Sequence, residues 1–249
     1  MKSYSGSPVS EPVYKVLRRA YYMESGTFRA EYNPYPGILF FDPVNPSLRS
    51  ESCEYDLLFE MTKDSMVDTE IFRSFVKSAI YGFRRSAYYK AYKSYLINYL
   101  GLNKAQTMGN ITADMADLEM HHNFLTIDDI AVMITLHMIN TVGRCTTFDI
   151  MQILMIEHFA NRIPIVILDK TSHDKYHDDI ENYIPPNMTF GKWWELLYLY
   201  RYGITISIAR KVMMFINRFY QKTDPMQLKL RGEVLSFVEL NPYKEEESL

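Results

Sequence analysis

Two pairs of histidines bracket a short apolar run, and this grouping constrains the chain more than any other feature. His121 and His122 are adjacent, His173 and His177 stand four apart, and Ile163-Pro164-Ile165-Val166-Ile167-Leu168 lies between the pairs. Residues four apart on a helix share one face, so His173 and His177 can address a single point. Neighbours on a strand face opposite ways, so His121 and His122 reach one site only at a twist or a strand end. Their roles then differ, one as ligand and one as base. The pattern predicts a strand carrying two imidazoles, a second apolar strand, and a helix carrying two more. Surface or packing histidines are the plain alternative.

The intervening residues carry helix signals. Thr126-x-x-Asp129 predicts a capped helix to about Asn140, Val142-Gly143 breaks it, and Thr146-x-x-Asp149 starts another to about Ala160. Asp117–His122 reads as the first strand and Ile163–Leu168 as the second, with Thr171-x-x-Asp174 opening the last helix. His137 and His158 fall on the inserted helices and read as ordinary helix-face residues.

Leu118-Glu119-Met120-His121-His122, the apolar strand, and Lys170-Thr171-Ser172-His173-Asp174-Lys175-Tyr176-His177 together resemble the HNH (ββα-metal) endonuclease motif, in its histidine-rich, colicin-like form. The stretch from Phe72 through Gly101-Leu102-Asn103 and Gly109-Asn110-Ile111 more loosely resembles uncharacterised HNH-like phage proteins. The resemblance implies that His121, His173 and His177 hold one divalent metal and that His122 is the general base. Asn161 is the nearest candidate for the family's middle Asn, whose usual place is taken by Pro164. Glu119 either orients a histidine from behind, as carboxylates do around metals, or is a strand residue facing water. An imidazole shell suits Zn, Ni, Mn or Co better than Mg, which prefers oxygen.

The second feature is charge. From Ile71 to Ala113 the chain has no acid but carries Arg73, Lys77, Arg84, Arg85, Lys90, Lys93 and Lys104, interleaved with tyrosines. Because the net charge is −3, any attraction to nucleic acid must be local. Arg73, Lys77, Arg84, Arg85, Lys90 and Lys93 are the candidate DNA contacts, with ion pairing elsewhere in the fold as the alternative. Thr69 to Leu100 reads as one helix closed at Gly101. Trp193–Tyr220 reads as two helical pieces hinged near Gly203.

The expected fold is α+β and mainly helical: a ββα-metal core with a two-helix insertion, flanked by basic aromatic helices. Its expected parts are an N-terminal arm or small β-rich lobe (1–68), the basic helix (69–111), the core (112–182) and a C-terminal helical region (183–249). Strand candidates at Val13–Tyr22 and Gly37–Phe41 belong to the arm. Two cysteines, Cys53 and Cys145, suggest a reducing compartment without a disulfide framework. No apolar run suits a membrane span or a signal peptide. The expected setting is the cytosol of a bacterium or infected host.

The leading functional expectation is a metal-dependent DNA endonuclease or nickase acting on double-stranded or branched DNA. The other is a non-catalytic nucleic-acid-binding or virion-assembly protein that keeps the HNH-like fold, with phage packaging or assembly partners.

Overall fold

The computed structural model describes residues 60–178, 184–219 and 225–241, with side chains throughout except at 87, 177, 178 and 225–228. The strand candidates at Val13–Tyr22 and Gly37–Phe41, Cys53 and the acidic C-terminal end lie outside these residues.

Helix α1, Thr69–Arg85, starts where the Asp68 carboxylate accepts from the amides of Glu70 (2.9 Å) and Ile71 (3.1 Å). It buries one stripe, Phe72, Phe75, Val76, Ala79, Ile80 and Phe83. The single helix expected from Thr69 to Leu100 is broken at Ser86. That residue is extended (φ −67°, ψ 149°), and its hydroxyl accepts from the Tyr89 amide to cap α2, Ala87–Ser94. A π-helical turn over Tyr95–Tyr99 follows and stops at Gly101, which has φ 73°.

Both threonine capping boxes form as the sequence predicts. Thr126 and Asp129 open α3, Ile127–Val142, which ends at Gly143 in the left-handed conformation (φ 93°). Thr146 and Asp149 open α4, Thr147–Phe159. Asp129 also accepts from Lys211 Nζ at 2.8 Å, tying the start of α3 to α7, Ile206–Phe219. Helix α4 is buried on nearly every side, against α1, α2 and α3.

The sheets are small. Between α3 and α4 the insertion contains a strand the sequence reading missed: β3, Arg144–Thr146, pairs antiparallel with β1, Glu60–Thr62. Strand β2, Leu118–His122, pairs antiparallel with β4, Ile165–Asp169, placing Glu119 opposite Leu168, His121 opposite Val166 and His122 opposite Ile165. The far edge of β4 is covered. Gln106 exchanges backbone and side-chain hydrogen bonds with Ile167, and Phe190 pairs with Ile165.

Helix α5, Lys170–Asp178, follows β4 directly. The acceptor at its start is Asp169, bonded by the Ser172 amide (3.1 Å) and hydroxyl (2.6 Å), two residues before the Thr171 expected to open the helix. Asn123 closes the other end of β2. Its side chain accepts from the Ile184 amide and donates to the Ile184 carbonyl and the Thr189 hydroxyl.

The C-terminal part contains α6 (Trp193–Leu199), a 3-10 turn at Arg201–Gly203, α7, and α8 (Pro225–Leu240). The expected hinge near Gly203 is present. The turn lies so close on α3 that a Cβ at Gly203 would stand 1.8 Å from the Met133 carbonyl oxygen. One hydrophobic cluster runs from Met61 to Phe237. A small second one, Val166, Leu168 and Ile184 with Tyr176 and Met188, lies on the α5 side of the β2–β4 pair.

Candidate functional site

The β2–β4 pair is a two-faced divider, and strand alternation decides what each face carries. Glu119 and His121 point with Val166 and Leu168 toward α5. Leu118, Met120 and His122 point with Ile165 and Ile167 into the main core. A two-stranded antiparallel pair with a helix on one face is the ββα arrangement that the histidine spacing predicts.

On the α5 face the rings of His121 and His173 are perpendicular, with centroids 5.4 Å apart, and Tyr176 lies 6.2 Å from His121. Glu119 Oε2 approaches His173 Nδ1 at 3.2 Å. Two of the three predicted metal ligands and the carboxylate behind them therefore come together. His177 follows one turn later on α5, and its side chain lies outside the described residues. Among those residues no group of three or more His, Cys, Asp or Glu is placed to hold a metal ion. The donors present fit an imidazole-rich site in kind.

His122 does not join them. Its Nε2 is 3.1 Å from Nε2 of His158, on α4. His158 is fully buried, and its Nδ1 lies 2.6 Å from the Leu154 carbonyl oxygen. A carbonyl only accepts, so Nδ1 carries the His158 proton and its Nε2 is the acceptor. His122 Nε2–H is then the donor. Burial pushes His158 down to about 4. Burial also holds His122 well below the usual histidine range, aided by His158 and the nearby Arg84 guanidinium. Both rings are neutral at physiological pH. Phe83 and Tyr92 enclose His158 at 4.9 and 5.1 Å between ring centroids.

His158 is thus a core residue and not the helix-face histidine expected from sequence. A signal for it exists in α4. A helix apolar on all sides is a central helix, and polar residues within it need partners. The same argument finds Glu157 and Arg162, each 1% exposed. Arg162 Nη2 donates to Glu157 Oε1 at 2.8 Å, Nε donates to Oε2, and the Tyr200 hydroxyl donates to Oε1 at 2.7 Å.

Asn161 lies on neither strand. It occupies the left-handed turn after α4 (φ 56°), a conformation Asn tolerates, and its carbonyl accepts from the Lys192 amide at 2.7 Å. The candidate DNA contacts Arg73, Lys77, Arg84, Arg85 and Lys90 are exposed, and Lys93 is half-buried. The Arg85 guanidinium sits over the Tyr81 ring at 4.9 Å.

Residues 45–246 match the family model described as "Bacteriophage G278-like virion protein". The chain belongs to that family. No curated protein and no solved structure matches it. The match, over most of the chain's length, supports the phage setting expected from sequence and is to a virion family rather than to an HNH nuclease family. No helix among the described residues of the G278-like chain is long and apolar enough to cross a membrane.

Proposed function

We propose that this G278-like virion protein is a non-catalytic component of phage particle assembly, in which the ββα segment serves as framework. The observation that carries this reading is the direction of His122. A general base must reach a water near the scissile phosphate. His122 instead turns away from the His121–His173 face and donates its Nε2 proton to His158 in the core. The virion family description supports the same reading. The work of this fold is then to hold a rigid helical body together, with assembly partners in the particle and assembly in the infected host's cytosol.

The test has two arms. Quantitative mass spectrometry of purified particles is expected to find the protein at a fixed copy number. Plasmid nicking with Mn²⁺, Ni²⁺, Zn²⁺ and Mg²⁺ is expected to show no cleavage that His122→Ala removes. Metal-dependent nicking by the wild type, lost in His122→Ala, would overturn the proposal.

A second reading, a one-metal nuclease, draws support from the His121–His173 approach with Glu119 behind it. A divalent ion held there by His121, His173 and His177 would supply Lewis-acid stabilisation of a phosphoryl oxygen. His173→Ala should then lower metal content measured by elemental analysis, while His122→Ala retains the metal and loses cleavage. Equal metal content in wild type and His173→Ala removes this reading.

A further inference from the structure

Helix α1 carries a row of cations along its solvent side. Arg73, Lys77 and Arg84 fall within an arc of about 40°, and at about 1.5 Å per residue the row is about 16 Å long. It runs along the exposed side, bordering the buried stripe of Phe72, Phe75, Val76, Ala79, Ile80 and Phe83. Lys90, exposed on α2, extends the charge beyond Ser86. The acids of this region, Asp68 and Glu70, are confined to the start of α1.

Five cations elsewhere in the described residues meet acids: Arg144 with Glu60, Arg162 with Glu157, Lys192 with Glu195, Lys211 with Asp129, and Lys229 with Glu233. Arg73, Lys77, Arg84 and Lys90 form no such pair among the described residues. Like charges four apart on a helix, as at Arg73 and Lys77, cost a few tenths of a kcal/mol. A partner that neutralises them offsets that cost. The residues between them, Ser74 and Ser78, are small, polar and exposed, with the Ser78 hydroxyl donating to the Ser74 carbonyl. Exposed Tyr81, between Lys77 and Arg84, adds one aromatic ring to an otherwise polar row. Cations recurring along one side of a helix suit a phosphodiester backbone.

We infer that the Arg73–Lys77–Arg84 row, with Lys90, is a phosphate-binding face that contacts duplex DNA without reading its sequence. The inference goes beyond the assembly role and stands whether or not the protein also cleaves, so binding is measured in EDTA.

The test uses the full chain and a labelled duplex of mixed sequence at several salt concentrations. Arg73→Gln/Lys77→Gln/Lys90→Gln should flatten the slope of log K against log salt by about 2–3, at about 0.9 per lost contact, with its unfolding temperature unchanged. Should the triple variant fold poorly, Lys77→Gln alone should flatten the slope by about 0.9. Lys229→Gln/Arg231→Gln, on α8, should leave the slope alone. Failure of the wild type to bind duplex overturns the inference, as does an unchanged slope in the variants. Displacement of the duplex by polyglutamate at equal charge concentration would also overturn it, assigning the row to an acidic protein.

Discussion

His122 and His158 share one proton-mediated contact across the core, Nε2 to Nε2 at 3.1 Å, with His158 anchored by its other nitrogen to Leu154. The contact needs one donor and one acceptor, so it survives only while at least one of the two rings is neutral. The nearby Arg84 guanidinium further opposes protonation of His122.

Acid should therefore destabilise the fold. Both folded values lie below the unfolded value near 6.5, so the unfolded chain binds more protons as pH falls. The contribution is fully present above about pH 6.5 and is lost as pH drops toward about 4, the His158 value. For His158 alone it is on the order of 3 kcal/mol. Urea midpoints measured across this range should fall with pH, and less steeply for His122→Leu/His158→Leu. A flat wild-type profile would refute the neutral pair.

The Glu157–Arg162 pair predicts an asymmetric mutational response. Arg162→Ala leaves a buried carboxylate with only the Tyr200 hydroxyl as its remaining described side-chain partner, and should cost about 3–5 kcal/mol in chemical denaturation. Tyr200→Phe removes one bond to the same carboxylate and should cost about 1–3 kcal/mol. Equal, small losses would mean that the pair is hydrated in solution.

Two glycines should respond in opposite directions. Gly203→Ala places a Cβ against the backbone of α3, at the Met133 carbonyl and the His137 amide, so one of the two segments must move. Overpacking of this kind costs about 1–3 kcal/mol or more. Gly232 lies inside α8 with open space around its would-be Cβ. Gly232→Ala should gain up to about 1 kcal/mol from helix propensity. Thermal unfolding of the two variants side by side checks both signs.

Asn123→Ala removes three hydrogen bonds to Ile184 and Thr189 and leaves the buried Ile184 backbone groups without those partners. A loss of about 2–3 kcal/mol is expected. Hydrogen exchange should show faster exchange at the Ile184 amide than at those of α3. Uniform acceleration across the chain would mean that Asn123 acts on global stability only.

Local signals were the legible ones. Thr126, Asp129, Thr146 and Asp149 announce their helices because a capping box is complete within four residues. The apolar run before His173 announces β4. Ser86 breaks the basic helix with the same kind of local cap, yet a lone Ser inside a periodic pattern gives no such warning. The β1–β3 pair was missed because three-residue strands carry too little alternation to read, and their partners are far apart in sequence. The adjacent histidines show the limit at the site. Alternation said that they face apart, and the resemblance said that they act together. The geometry follows alternation, because β2 stays regular through His122 and α4 offers a buried partner there.

The pairing of His122 with Ile165 also has a kinetic meaning. It encloses α3, β3 and α4, so the sheet can close only around a long excursion of chain. Closing a flexible loop of that length costs entropy that grows with the logarithm of its length, and it slows the search for the right register. If α3 and α4 first fold against each other, the floppy excursion becomes a compact block whose two ends are already neighbours. The capping boxes then do more than begin helices: they set the order of events, with the helical insertion forming early and the histidine-bearing strands zipping together late.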